Sequence, residues 1–382
     1  MLPVFQRLIT LVLCLVTLGR WQPAQTPTEL PQQPDVIARQ VESMTLREKV
    51  GQLFMIRPQA LDPSDTASYT SVTQQTKENL LKYPVGGIIL FKENIQDPAQ
   101  LEAMLTDYQQ ASALPLLVAV DEEGGTVTRV ASNSKFEATK YASASAVAAS
   151  GDTGAAREMG RTIGTYLKRY GFNLDFAPVA DVNTNPKNPV IGKRAFSSDP
   201  EIAAQMVTAA VEGFHEAGML CTLKHFPGHG DTATDSHLGM ATTTKTWAEL
   251  QQAELIPFAK GIAAGADVVM AAHITTPNIT GDDLPASLSY EMLTERLRGE
   301  MGFEGVICTD ALEMQAVTKY YSPAQAAVLA LRAGADILLI PADLQEAFEA
   351  VLAAVEDGTL SEQRLDESVY RILSLKHKAG LL

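Results

Sequence analysis

Short apolar runs recur along the chain: Leu53 to Ile56, Gly87 to Phe91, Leu116 to Val120, Leu174 to Val179, Leu220 to Leu223, Val268 to Ala272, Val306 to Cys308 and Ile337 to Ile340. Runs of this length, rich in Val, Ile and Leu, predict strands buried on both faces. Between them lie stretches with apolar residues at helical spacing, among them Ile202 to Ala217, Trp247 to Ala264 and Pro323 to Ala333. Strands alternating with helices imply parallel pairing and right-handed crossovers. Two joints repeat almost verbatim: Ala264-Gly-Ala-Asp267 and Ala333-Gly-Ala-Asp336 each lead from a helix through a glycine cap into a strand. One βα unit used about eight times predicts an α/β fold, a (β/α)8 TIM-like barrel in a single domain. An open doubly wound sheet ranks second, because no Gly-x-Gly-x-x-Gly turn opens an early helix.

A barrel of this kind carries its chemistry at the C-terminal ends of its strands. Polar residues stand there: Asp121 after Leu116 to Val120, Lys224 and His225 after Leu220 to Leu223, His273 after Val268 to Ala272, and Asp310 after Val306 to Thr309. With Asp235 they make a carboxylate-rich rim that would repel an anion. Neutral polyols suit it better, since carboxylates bind sugar hydroxyls by charge-assisted hydrogen bonds and one placed at an anomeric carbon can attack it.

Composition narrows the class without changing it. The 382 residues are 46% hydrophobic and 20% charged, a globular balance, and the net charge of −15 opposes nucleic-acid binding. The first 25 residues stand apart. Arg7 precedes an apolar run from Leu8 to Leu18, the length of a secretory signal core and short for a membrane span. Residues 1–25 are therefore expected to be a signal peptide or an uncleaved N-terminal anchor, residues 26–40 a polar linker, and residues 41–382 the folded domain. Export to the periplasm or the outside follows from that expectation, with no membrane partner beyond the anchor. Cys14 leaves with the signal, while Cys221 and Cys308 sit in strand-like runs as small buried hydrophobes, so no disulfide framework is expected.

The densest motif is Lys-His-Phe-Pro-Gly-His-Gly-Asp-Thr-Ala-Thr-Asp-Ser-His, from Lys224 to His237. Clustered imidazoles and carboxylates raise the reading of a metal-dependent barrel hydrolase using His225, His229, His237 and Asp310. Pro227, Gly228 and Gly230 rule out the helical spacing of most ligand pairs. Four further stretches stand in order with it: VDEEGGTVTRV from Val120, NLDFAPVADVNTNP from Asn173, VIGKRAF from Val190 and CTDALEM from Cys308. On these motifs the chain resembles the β-N-acetylhexosaminidase branch of glycoside hydrolase family three, in its single-domain bacterial form.

The resemblance implies roles. Asp310 matches the catalytic nucleophile, and His237 matches the general acid/base, paired with Asp235. Asp121, Arg129, Arg194, Lys224 and His225 match positions that bind the terminal sugar. It also implies a retaining exo-hydrolase that needs no metal or cofactor. The expected substrate is a β-N-acetylglucosaminide oligosaccharide or muropeptide, from peptidoglycan fragments or chitooligosaccharides. In relatives with a glutamate acid/base that residue comes from a second domain, for which this chain is expected to lack room. Three other readings stay open: a phosphorylase, a β-glucosidase and a binding protein on the same scaffold. Glu122, Glu123 and Glu313 are rival acid/base candidates. His229 and Asp231 read as loop structure, Asp175 as either loop-fixing or substrate-touching, His273 as either rim packing or substrate contact, and His215 and His377 as surface residues on helices.

Overall fold

The computed structural model describes residues 35–232 and 239–382. The expected segments 1–25 and most of 26–40, together with Asp235 and His237, lie outside the described residues. Eight parallel strands form one sheet: β1 Phe54–Ile56, β2 Gly87–Leu90, β3 Leu117–Val120, β4 Leu174–Asp175, β5 Leu220–Phe226, β6 Val268–Ala271, β7 Val306–Thr309 and β8 Leu338–Leu339. Each pairs with the next in chain order and β8 returns to β1. The seam between β7 and β8 closes through a bridge from Cys308 to Ile337 and a bond from the Leu339 amide to Thr309 Oγ1 at 3.1 Å. The sheet is thus a ring with no free edge, which removes a template for aggregation.

Both faces of the strands are buried, which explains why the sequence shows unbroken apolar runs. Crossover helices lie outside the ring, including Pro98–Ala111, Thr153–Arg169, Pro200–Glu216, Leu255–Ala263 and Pro323–Ala333. Their starts are set locally. Asp199, for example, accepts from the amides of Glu201 and Ile202, and Pro200 fills the first helical position, where a missing N–H costs nothing. Both repeated joints end their helices on a left-handed glycine, Gly265 at φ 91° and Gly334 at φ 118°. The aspartate that follows each glycine ties in the neighbouring strand: Asp267 Oδ2 accepts from the Cys221 amide at 3.0 Å, and Asp336 Oδ2 from the Ile307 amide at 2.9 Å.

Four boundaries differ from the expected ones. The folded part begins with the helix Val36–Ser43, inside the expected linker 26–40, because Ile37 and Val41 fall one turn apart and bury on the core. The fourth strand ends early: Pro178 has no N–H to donate, and residues 176–180 continue beside β5 only through irregular bonds such as Ala180 N to Lys224 O. Conversely β5 runs on through Phe226, so Lys224 and His225 lie within the strand. The single helix expected over Trp247 to Ala264 is two, Trp247–Gln251 and Leu255–Ala263, with Pro257 in the first turn of the second. Beyond β5 and β6, the pair Ala241–Thr242 and Ile274–Thr275 joins the two long loops over the C-terminal face. Among the described residues no helix is long and apolar enough to cross a membrane.

Candidate active site

A pocket of about 200 Å³ opens at the C-terminal end of the ring and is lined by Asp121, Arg129, Arg194, Lys224, His225 and Asp310, with Glu123 and His229. Six of the eight residues named from the sequence therefore meet in one cavity. Asp235 and His237 belong to the undescribed stretch that starts one residue after Thr232.

Charges in the pocket are paired in a chain. Lys224 Nζ lies 2.7 Å from both Asp121 Oδ1 and Glu123 Oε1. Arg194 clasps Glu123 with two bonds, Nε to Oε2 at 2.9 Å and Nη2 to Oε1 at 2.7 Å. Burial opposes the Glu123 charge, but Lys224 and Arg194 outweigh it and hold the carboxyl well below the usual range. A carboxyl so firmly ionised is a poor proton donor, so Glu123 positions cations and is not the acid/base its sequence context allowed. Lys224, also buried, is raised because Asp121 and Glu123 overcome its desolvation. Arg129 is held more loosely: its Nη2 is 3.5 Å from Asp121 and, among the described residues, its buried Nε has no hydrogen-bond partner. It keeps donors in reserve for a ligand.

His225 is oriented from behind. Its Nδ1 lies 2.7 Å from Oδ2 of the fully buried Asp181, and its Nε2 lies 3.3 Å from Arg194 Nη2. An arginine only donates, so Nε2 accepts and Nδ1 carries the proton toward Asp181. Sequence reasoning quoted Asp181 within a motif and gave it no role; nothing in its spacing shows that it reaches back to another strand end. Asp181 also accepts from the His229 amide at 2.6 Å, and Asn188 Nδ2 bonds the carbonyls of His229 and Thr232, each at 2.8 Å. These bonds fix the base of the loop that leads to Asp235 and His237. Gly230 is required there, since a Cβ would stand 1.7 Å from the Val182 carbonyl oxygen. The His229 ring faces the pocket with Nδ1 2.6 Å from Thr232 Oγ1, so it is more than loop structure. Burial and the neighbouring His225 push its pKa down. Asp231 serves the loop, near Lys245 and Thr243.

Asp310 directly follows β7, and its Oδ1 accepts from the Ala311 amide at 2.8 Å. Its own amide bonds the Ala271 carbonyl of β6. His273 secures the same turn, with Nε2 2.9 Å from Ala311 O and Nδ1 2.7 Å from Ser287 Oγ, and so positions Asp310 from the core. The remaining carboxylates have structural work. Glu122, fully buried, accepts from the amides of Arg129, Val130 and Ala131 and from the Tyr166 hydroxyl, which shapes the loop carrying Arg129. Asp175 fixes that loop through the Glu122 amide at 2.9 Å, and burial raises its pKa well above the usual range. Glu313 pairs with Arg57 at 2.5 Å on the pocket wall. Arg57 and Phe91, stacked at 4.2 Å, line that wall and were missed from sequence. The available signal was Phe91's place just after β2, equivalent to that of Asp121 after β3.

Among the described residues, His225, His229 and Asp310 do not bring three ligand atoms within 4.8 Å of one another. Cys221 and Cys308 are buried and their thiols are raised by desolvation, which leaves neither as a ready nucleophile.

Residues 45–375 match the family model described as the glycosyl hydrolase family 3 N-terminal domain. The chain is 38% identical over 341 residues to beta-hexosaminidase A of Pseudoalteromonas piscicida, covering 82% of this chain and 56% of that protein. It is 40% identical over 265 residues to a beta-hexosaminidase of Tolumonas auensis, covering 69% of this chain and 78% of that one. Among solved structures, the family 3 β-N-acetylglucosaminidase from Paenibacillus sp. str. FPU-7 superposes with a TM-score of 0.81 at 41% identity, over 89% of this chain and 63% of that one. The match thus spans little more than half of the Pseudoalteromonas protein and under two thirds of the Paenibacillus chain. With an eight-stranded parallel barrel and a family match over residues 45–375, this chain belongs to glycosyl hydrolase family 3.

Proposed function

We propose that the protein is an exo-acting, retaining glycoside hydrolase that removes terminal non-reducing β-linked N-acetylglucosamine, with Asp310 as nucleophile. The observation that carries this reading is the Asp310 carboxylate facing a small pocket whose other walls are Asp121, Arg129, Arg194, Lys224 and His225. A cavity of about 200 Å³ favours one sugar unit over a threaded chain. The paired carboxylates and cations offer both acceptors and donors for its hydroxyls and amide carbonyl. The names of the relatives agree with this substrate class.

In the proposed reaction an Asp310 oxygen bonds to the anomeric carbon as the glycosidic bond breaks, and His237, assisted by Asp235, gives its proton to the leaving oxygen. Water then attacks the same carbon as His237 takes its proton, the bond to Asp310 breaks to restore the free carboxylate, and the sugar leaves with its original β configuration. The roles of His237 and Asp235 rest on the sequence resemblance. Export to the periplasm or outside, and peptidoglycan fragments or chitooligosaccharides as substrates, complete the proposal and rest on the N-terminal sequence and the sequence resemblance.

A fluorinated N-acetylglucosaminide with a good leaving group tests it, because the electron-poor ring slows release of the covalent intermediate more than its formation. Peptide mapping should find one adduct, on Asp310. An adduct elsewhere, or turnover with the α anomer appearing first by NMR, would overturn the assignment.

A further inference from the structure

At the opposite, N-terminal end of the ring, three potential ligand atoms converge. His215 Nε2, from the last turn of the helix Pro200–Glu216, lies 2.9 Å from Asp267 Oδ2 and 3.8 Å from Cys221 Sγ, and the three atoms all fall within 4.8 Å of one another. A relay of the nucleophile, imidazole and carboxylate kind uses the two ring nitrogens on opposite sides. Here a single nitrogen faces both the thiol and the carboxylate. That arrangement points all three at one spot, as ligands do. We propose that His215, Cys221 and Asp267 form a binding site for a divalent transition-metal ion of the zinc class, distinct from the active-site pocket.

Geometry and charge agree with that ion. Bond lengths of ~2.3 Å to sulfur and ~2.0 Å to nitrogen, at tetrahedral angles, separate S and N by roughly 3.6 Å and N and O by roughly 3.3 Å. The spacings of 3.8 Å from sulfur to nitrogen and 2.9 Å from nitrogen to oxygen need only a few tenths of an ångström of adjustment. Thiolate, carboxylate and neutral imidazole sum to two negative charges, and the soft sulfur and imidazole select zinc or cobalt over magnesium or calcium. Desolvation keeps the Cys221 thiol protonated on its own, so binding must release that proton and strengthens as pH rises. His215 is partly exposed and Asp267 borders a surface cavity of about 250 Å³, which provides entry and a place for a fourth ligand. Lys378 Nζ, 2.5 Å from Asp267 Oδ1, occupies the other carboxylate oxygen, and Oδ2, which accepts the Cys221 amide on one lone pair, has a second lone pair for the metal.

The sister joint shows what such a corner looks like without this chemistry. Asp336 also holds a strand amide, but its ionic partner from the preceding helix is Arg298, and the residue where Cys221 would stand is Ile307. A guanidinium and an aliphatic chain fill that corner. At Asp267 an imidazole and a thiol take their places.

Cobalt(II) titrated into protein stripped with a chelator should give one equivalent of binding with a sulfur-to-cobalt charge-transfer band. Zinc should raise the unfolding temperature. Cys221→Ser and His215→Gln should each abolish the band and weaken binding by ~100-fold or more. His215→Gln alters only a partly exposed side chain, so it decides the matter even if Cys221→Ser fails to fold. Absence of the band in the unaltered protein, or a band that survives either substitution, would overturn the proposal.

Discussion

The two ends of the barrel use the same ionic side chains to different effect. At the C-terminal end, Asp121, Glu123, Lys224 and Arg194 pair around an open pocket, and among the described residues Arg129 keeps a buried Nε without a partner. Around Asp336, at the N-terminal end, the pairing is saturated: this fully buried carboxylate meets Arg298, Arg371 at 3.3 Å, the Ser368 hydroxyl at 2.6 Å and the Ile307 amide at 2.9 Å. Burial lowers the Arg298 guanidinium to about 10 even against the pull of Asp336. Charges that satisfy one another hold a fold together, while charges left partly unsatisfied are available to a ligand.

The largest expected effect tests the closed end. Asp336→Ala strips the countercharge from Arg298, Arg364 and Arg371 and should cost about 3–5 kcal/mol of stability. Urea unfolding should show the loss while kcat/KM of the remaining folded protein stays within about twofold, because the change lies at the far end of the strands. A collapse of kcat/KM with unchanged stability would reverse the assignment of the two ends.

Next comes Lys376, fully buried with Nζ 2.6 Å from Gln52 Oε1, whose pKa is pushed down to about 7 by desolvation. The unfolded lysine keeps its proton to about 10.4, so between these values the unfolded state binds more protons and stability rises with pH. Below about 7 both states are charged and the burial penalty is complete. Stability should therefore climb by roughly 3 kcal/mol between pH 7 and pH 10, relative to Lys376→Met, which lacks the titration. Parallel pH profiles for the two proteins would contradict a buried neutral lysine.

The smallest effect sharpens the open end. Arg129→Met removes a loosely held donor and should lower kcat/KM by about 100-fold, near 2.7 kcal/mol, while the unfolding temperature stays within about 2 °C. An unfolding temperature that falls without loss of kcat/KM would make Arg129 a structural residue.

Much of this was legible in the chain because it depended on local pattern. All eight strands appear as apolar runs, since a strand buried on both faces is built mainly from apolar residues, with Asp175 in β4 and Thr222, Lys224 and His225 in β5 among the polar exceptions. The repeated Ala-Gly-Ala-Asp joints announced both left-handed glycines. Strand-end position was enough to nominate Asp121, Lys224, His225 and Asp310. Less visible were contacts between residues distant in sequence. Pro178 shortened β4, and the helix Val36–Ser43 hid behind a polar lead-in. His215 read as a surface residue because its partner Asp267 lies 52 positions away.

By itself the sequence determined the ring, its parallel order and which residues stand at its active rim, because periodicity and strand-end position are properties of neighbours along the chain. Only the tertiary structure decided what each charge does. Glu123 became an ionised anchor for two cations, Asp181 the orienter of His225, and His273 the brace behind Asp310. The physical reason is that burial and opposite charge set the state of an ionisable group, and both come from parts of the chain that meet only when the barrel closes.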